Sequence, residues 1–226
     1  MNKRLLLLLA FASPLWAGEP QNTAPEWTAE AWHETLRNMP YGNAARGAQL
    51  AKEGYCYTCH GDRGYAPSRN APSLAGQNQA YLYKTMLDFA SKRWWADHKD
   101  DVMHNAAITF TKQDYADMAA YYAQQPKPFF KRVEKPNHVA DQLARRGDHT
   151  RLLTPCSSCH GVRGEGGVNE TPMISGQSAF YIKRQLEMYK SGKRRNDVEE
   201  GMRFVAEQLT DEEIEALAQY YGNGQK

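Results

Sequence analysis

The sequence predicts an all-α fold of two small helical domains in tandem, and three observations carry that prediction. Apolar residues recur at helical spacing in several segments, strand-like alternation is almost absent, and one ordered set of residues appears twice about 100 positions apart. All four cysteines of the 226-residue chain fall inside the repeated set, as Cys56-Tyr57-Thr58-Cys59-His60 and Cys156-Ser157-Ser158-Cys159-His160.

In chain order, Lys3 and Arg4 precede the apolar run Leu5 to Ala12, and small residues follow at Ala17 and Gly18. This is the layout of a secretory signal peptide over residues 1–17, cleaved after Ala17. The run is too short for a permanent span, which needs about 20 residues, so the expected location is the periplasm. Peripheral association with the membrane face stays open, and no cysteine near the cleavage point supports a lipid anchor. Residues 18–41 form an N-terminal extension carrying Trp27, Trp32 and Leu36 among glutamates. An amphipathic helix covering the first domain is expected there, with a partner-binding arm as the alternative.

The first domain is assigned to 42–125. Asn43 to Glu53 has few helix breakers and delivers Cys56; Gln79 to Ser91 places Leu82, Met86 and Phe89 on one stripe; Thr111 opens a last helix with Tyr115, Met118, Ala119 and Tyr122 in line. Residues 126–137 are a linker in which Pro126, Pro128 and Pro136 exclude a regular helix. Its Phe129 and Phe130 are expected to pack on a domain surface. The second domain, 138–226, repeats the plan. Ser178 to Ser191 places Ile182, Leu186 and Tyr189 on a stripe, and Thr210 with Glu213 makes a capping-box pattern ahead of Ile214, Leu217, Ala218 and Tyr221.

At an offset of 100, Arg46-Gly47 matches Arg146-Gly147, Pro72 matches Pro172, Gly76-Gln77 matches Gly176-Gln177, and Tyr81 matches Tyr181. At 99, Met103 matches Met202, Thr111 matches Thr210, and Tyr121-Tyr122 matches Tyr220-Tyr221. An ordered set of this length indicates an internal duplication.

C-x-x-C-H is the attachment motif for haem c. Cys56 and Cys59, and Cys156 and Cys159, would form thioether bonds to two porphyrins, with His60 and His160 as the proximal iron ligands. Cysteines three apart share one face of a helical turn, and the next residue carries imidazole toward the ring. A redox dithiol is one alternative. A zinc site built from both motifs is another, but it leaves the histidines unexplained. A domain of this size fills its core poorly with side chains alone, so the porphyrin is expected to supply apolar bulk and the apoprotein to be largely unfolded.

The sixth ligand decides what such an iron does. Of eight methionines, Met103 and Met202 recur in both repeats, in sequence that reads as irregular and ahead of the last helix. Met86, Met118, Met173 and Met188 read as packing residues. His104 competes with Met103 if the loop shifts by one residue, and His98 is a weaker competitor; His33, His138 and His149 are expected on the surface. Histidine with methionine keeps iron six-coordinate and raises its potential, which suits an electron carrier and not an enzyme that activates oxygen or peroxide.

The net charge of +2 falls to zero without Lys3 and Arg4, which excludes the basic footprint of a nucleic-acid binder. Arg184, Lys190, Lys193, Arg194 and Arg195 make the second domain locally basic. Solvated surface is the expected role, with steering of an acidic partner as the sharper one.

From about Ala44 to Gly222 the chain resembles the di-haem cytochrome c4 family. The resemblance is carried by Arg46-Gly47, the two C-x-x-C-H motifs, Ala71-Pro72-Ser73-Leu74-Ala75-Gly76-Gln77, Tyr81-Leu82, Ala119-Ala120-Tyr121-Tyr122 and Ser191-Gly192-Lys193-Arg194. It implies two cytochrome c domains related by a pseudo-twofold axis, with haem propionate edges facing across the interface. It also implies that Pro72 and Pro172 offer their carbonyls to the proximal imidazoles. Electrons would pass from a quinol-oxidising complex or dehydrogenase to a terminal oxidase or similar acceptor. Two features depart from the pattern: Lys92 stands opposite Gly192, and the loop before Met103 is rich in Trp94, Trp95, Asp97, His98, Asp100 and Asp101. The competing functions are the haem subunit of a flavocytochrome-type dehydrogenase and a di-haem enzyme such as a peroxidase or thiosulfate dehydrogenase. The paired methionines argue against the enzyme.

Overall fold

The structure, a computed structural model, describes residues 24–96, 98–130 and 136–222, with the side chain of His98 outside the description. The expected signal peptide, residues 18–23 of the extension and 131–135 of the linker also lie outside it.

Helices make the whole of the described fold: α1 (Ala29–Arg37), α2 (Ala44–Glu53), α3 (Tyr57–His60), α4 (Gln79–Ala90), α5 (Asp101–Ala107), α6 (Lys112–Ala123), α7 (His138–Arg146), α8 (Cys156–His160), α9 (Ala179–Lys190), α10 (Gly201–Glu207) and α11 (Asp211–Tyr221). Two isolated bridges, Trp27 with Val198 and Asp148 with Leu153, are the β pairing among these residues. None of the described helices is long and apolar enough to cross a membrane.

The sequence sets most helix starts through side-chain caps that satisfy the first free N–H groups. Asn78 accepts from the Tyr81 N–H at the start of α4, and Ser178 from the Tyr181 N–H at the start of α9. Full capping boxes open α6, with Thr111 and Asp114, and α11, with Thr210 and Glu213. Each half then packs its own core. The first gathers Ala51, Leu82, Tyr83, Tyr115, Ala116, Met118, Ala119 and Tyr122; the second gathers Leu143, Leu153, Ile182, Leu209, Ile214, Leu217, Ala218, Tyr220 and Tyr221 with Ala140, Ala144 and Ala179.

One repeat match fails. Gly47 sits in the first turn of α2, where a Cβ would lie 2.0 Å from the Asp117 carbonyl oxygen of α6; Gly147 ends α7 at φ +67°, a left-handed position. Helix α2 ends three residues before Cys56, whereas α7 ends ten before Cys156, and a loop with a short 3-10 turn fills the difference. The matching dipeptides are therefore not structural equivalents. Arg151 on that loop takes the part of Arg46. Arg46 pairs with Asp114 and Asp117 beside the α6 capping box, and Arg151 pairs with Glu213 of the α11 box at 2.8 Å.

The two halves meet through a reciprocal set of bonds. Gln77 Nε2 donates to the Met173 carbonyl (2.8 Å) and its Oε1 accepts from the Met173 N–H (2.7 Å); Gln177 makes the same pair with Ser73 (2.7 and 2.9 Å). Because 73 and 173 correspond in the repeat, the pairing reads the same from either domain, as a pseudo-twofold relation requires.

Three expectations about surface segments need correction. The extension covers the junction of the domains and not the first domain alone. Trp27 Nε1 donates to Asp88 of α4 (2.6 Å), while Glu26 holds Arg195 and Arg203 and the Ala29 N–H donates to Glu199 (2.7 Å). Trp32 is fully buried there. Arg194 is no solvated charge: only 4% exposed, it stacks 3.4 Å over Trp94 of the other domain and bonds Gln185 and Asn196. Aromatic faces and amide oxygens replace its water. Of the two linker aromatics, Phe129 is 82% exposed and Phe130 half-buried, although the linker does lie on the first domain, where Pro126 accepts from the Tyr65 hydroxyl (2.6 Å). His33, His138 and His149 are exposed, as expected.

Candidate haem sites

Each C-x-x-C-H motif forms one helical turn, α3 and α8, and the His60 N–H closes it onto the Cys56 carbonyl (3.0 Å). Glycines at positive φ, Gly61 (+76°) and Gly161 (+80°), end the turns and swing the chain away beneath the imidazoles. No disulfide joins the four cysteines; Cys56 and Cys156 are half-buried, and Cys59 and Cys159 exposed. Burial pushes the Cys156 thiol up to about 11 and raises that of Cys56 as well.

The histidines are buried and oriented alike. His60 Nδ1 lies 2.9 Å from the Pro72 carbonyl oxygen and His160 Nδ1 lies 2.8 Å from that of Pro172. A carbonyl only accepts, so Nδ1 carries the proton and Nε2 is left with a lone pair for a metal. Burial lowers both histidine pKa values and keeps the rings in the neutral form that ligates iron. The proline segments are themselves pinned. The N–H groups of Leu74 and Ala75 converge on the Gly64 carbonyl (2.8 and 3.1 Å), and those of Ile174 and Ser175 on that of Gly164 (both 2.9 Å). The last helices close the set, as Gly76 N–H donates to the Tyr122 carbonyl (2.8 Å) and Gly176 N–H to that of Tyr221 (3.0 Å).

Met103 and Met202 are each half-buried in the first turns of α5 and α10, not in the irregular loops expected for them. Seven-residue helices have too little sequence for a periodic stripe to show. Met103 packs against Phe89, Trp94 and Ala107. Its competitor His104 is engaged elsewhere: Nδ1 meets the Phe89 carbonyl at 2.8 Å and the ring stands edge-on to Trp95 at 5.4 Å. Consecutive helical residues point about 100° apart, so the two side chains do not share a direction. Met118 and Met173 are buried packing residues, as expected.

These residues fit a haem in each half. Thiols, imidazole and thioether are the donor set of a covalent c-type centre, and no group of three His, Cys, Asp or Glu able to hold a bare ion exists among the described residues, so the zinc alternative is not assembled. Two buried donors, Trp94 Nε1 and Arg184 Nε, have no protein partner. A propionate carboxylate is the complement such N–H groups call for. The sequence marks the loop holding Trp94 and Trp95 as unusual but does not show that Trp94 Nε1 and Arg184 Nε are buried without a protein partner.

The cytochrome c family model matches residues 44–125 and 149–223. Cytochrome c4 of Thiocapsa roseopersicina is 36% identical over 169 residues, covering 74% of this chain and 85% of that protein. A protein of Stutzerimonas stutzeri named thiosulfate dehydrogenase electron acceptor is 34% identical, covering 76% of this chain and 80% of its own. Among solved structures, reduced recombinant cytochrome c4 from Pseudomonas stutzeri superposes with a TM-score of 0.72 at 30% identity, covering 80% of this chain and 97% of that one. Fold and site thus define a two-domain c-type cytochrome that binds two covalent haem c groups. More narrowly, the chain belongs to the cytochrome c4 family of electron carriers.

Proposed function

We propose that this chain is a periplasmic carrier that moves electrons one at a time from a quinol-oxidising complex or dehydrogenase to a terminal oxidase or similar acceptor. In this reading Cys56, Cys59, Cys156 and Cys159 hold the two haems, and His60 with Met103 and His160 with Met202 are the axial pairs. The domains are 42–125 and 138–226, and the chain performs no substrate chemistry of its own. The observation that carries the reading is the duplicated proximal bond from Nδ1–H to proline carbonyl, which leaves Nε2 of a buried neutral imidazole free in each half.

When bound, each haem supplies a one-electron ferric–ferrous couple. The proline carbonyls hold each imidazole's rotation, so the ring need not turn as the iron changes charge. The Met103 and Met202 thioethers would supply the second protein ligand in each half and so leave no position for water or small molecules. Trp94 Nε1 and Arg184 Nε would each donate to a buried carboxylate, and the Arg184 guanidinium would also balance its charge.

Replacing Met202 with alanine is expected to abolish the sulfur-to-iron charge-transfer band of one centre and lower its potential, and Met103→Ala to do the same at the other. An unchanged near-infrared spectrum would remove that residue from the ligand set. Native protein should bind neither carbon monoxide nor cyanide tightly, and tight binding at one haem would indicate an enzyme.

A second reading has specific support. Relatives named thiosulfate dehydrogenase electron acceptor support a sulfur-oxidising dehydrogenase as the donor, as does a thiosulfate dehydrogenase structure from Marichromatium purpuratum that superposes with a TM-score of 0.68 at 31% identity, covering 78% of this chain and 39% of that one. A diffusing carrier purifies alone, whereas a subunit co-purifies with its dehydrogenase.

A further inference from the structure

Haem attachment and axial ligation leave Gln77 and Gln177 unused, although both recur in the repeat and both are nearly fully buried. Their positions relative to the proximal histidines are specific. The peptide unit joining Pro72 to Ser73 accepts from His60 Nδ1 at its carbonyl (2.9 Å) and donates its N–H to Gln177 Oε1 (2.9 Å). The unit joining Pro172 to Met173 accepts from His160 Nδ1 (2.8 Å) and donates to Gln77 Oε1 (2.7 Å). A single planar amide therefore stands between each proximal imidazole and a glutamine of the opposite domain.

We propose that Gln77 and Gln177 are positioning residues that set the electron density of the opposite domain's proximal histidine, and with it that haem's reduction potential. Resonance ties the carbonyl and N–H of one amide together, so a hydrogen bond accepted from the N–H end places more negative charge on the oxygen. The better acceptor pulls harder on the histidine proton and makes Nε2 a stronger donor, which favours ferric iron. Each glutamine is held with its oxygen toward that N–H, because its Nε2 donates to the carbonyl of residue 173 or 73 (2.8 and 2.7 Å). Burial leaves no water to take over when the amide is removed. The control is crossed: Gln177 acts on the His60 centre and Gln77 on the His160 centre.

This inference rests on His60 and His160 being the proximal ligands. The test uses the full-length holoprotein with both haems attached, in a redox titration that follows each haem separately by paramagnetic NMR and records the Nδ1–H resonance of each proximal histidine. Gln177→Leu should raise the reduction equilibrium constant of the His60 centre about threefold, about 28 mV at 59 mV per decade for one electron, and move the His60 Nδ1–H resonance. The His160 centre should stay in place, and Gln77→Leu should give the mirror result. A role confined to docking the domains would shift both centres together, and that outcome, a shift in the same-domain centre, or no shift overturns the proposal. If Gln177→Leu loosens the interface, Gln177→Glu keeps an oxygen acceptor for the Ser73 N–H. It should not raise the His60 potential, and a rise matching that of leucine overturns the proposal. Failure of the ligand reading shows separately, as a wild-type histidine without paramagnetic shift.

Discussion

His60 and His160 owe their chemistry to local sequence: a helical turn, a glycine that ends it, and a proline carbonyl twelve residues on. Contacts this short in sequence are legible without a structure: the motif identifies both histidines, and the family resemblance points to both prolines. Arg194 is the opposite case. Its surroundings, Trp94, Tyr189, Gln185 and Asn196, come from two domains, so a basic run in the sequence reads as surface. Arg194→Met should destabilise the protein by about 2–3 kcal/mol in chemical denaturation, from the desolvated cation–π stack and the charge-assisted hydrogen bonds. A loss under 0.5 kcal/mol, in the range of an ordinary surface change, would contradict this. Lys92 is held at φ +57° where the other repeat has glycine, and its ammonium lies 4.3 Å over Trp95, a contact that offsets the left-handed backbone.

Among elements, the α11 capping box is legible because Thr210 and Glu213 stand three apart, and Thr111 marks the matching start of α6, whereas the Asn78 and Ser178 caps of α4 and α9 show only in the structure. Removing the α11 cap with Thr210→Ala should cost about 1 kcal/mol, measured by thermal or urea unfolding of the holoprotein. Helices α5 and α10 were missed because seven residues show no period. The junction of α7 with its haem motif was misread because one chance Arg-Gly match hid a loop. The extension is clamped by Glu26, whose carboxyl is held down to about 2, chiefly by its hydrogen bond with Arg203 and also by Arg195. A depressed acid stabilises the fold above its unfolded pKa of 4.5, and that contribution disappears as pH falls through about 2. Melting curves of the wild type and Glu26→Gln should therefore differ above pH 4.5 and converge near pH 2. A constant difference across that range would show that the carboxylate is not the clamp.

As a whole molecule the protein is two domains tied by reciprocal glutamine bonds and by a segment that reaches across them. Beneath that segment Lys84 and Asp88 form a buried pair that also engages Asn196 of the second domain. Removing Lys84 takes the nearest cation from a buried carboxylate, so Lys84→Met should destabilise by about 3–5 kcal/mol in chemical denaturation, and adding Asp88→Leu should not recover the loss, because Trp27 Nε1, Arg93 and the Asn196 amide also bond to Asp88. Interdomain partners of this kind lie about 100 residues apart in sequence, beyond the reach of periodicity or spacing. The duplication announced two domains but not how they meet. Domains this small are marginal on side-chain packing alone, so chain expressed without haem attachment should lose cooperative helical structure by far-UV circular dichroism.

The most direct test is intact-mass and peptide mass spectrometry of the protein matured in a host that attaches haem c. Two haem additions per chain are expected, one on the peptide holding Cys56 and Cys59 and one on that holding Cys156 and Cys159. A chain that matures with one addition or none would contradict it.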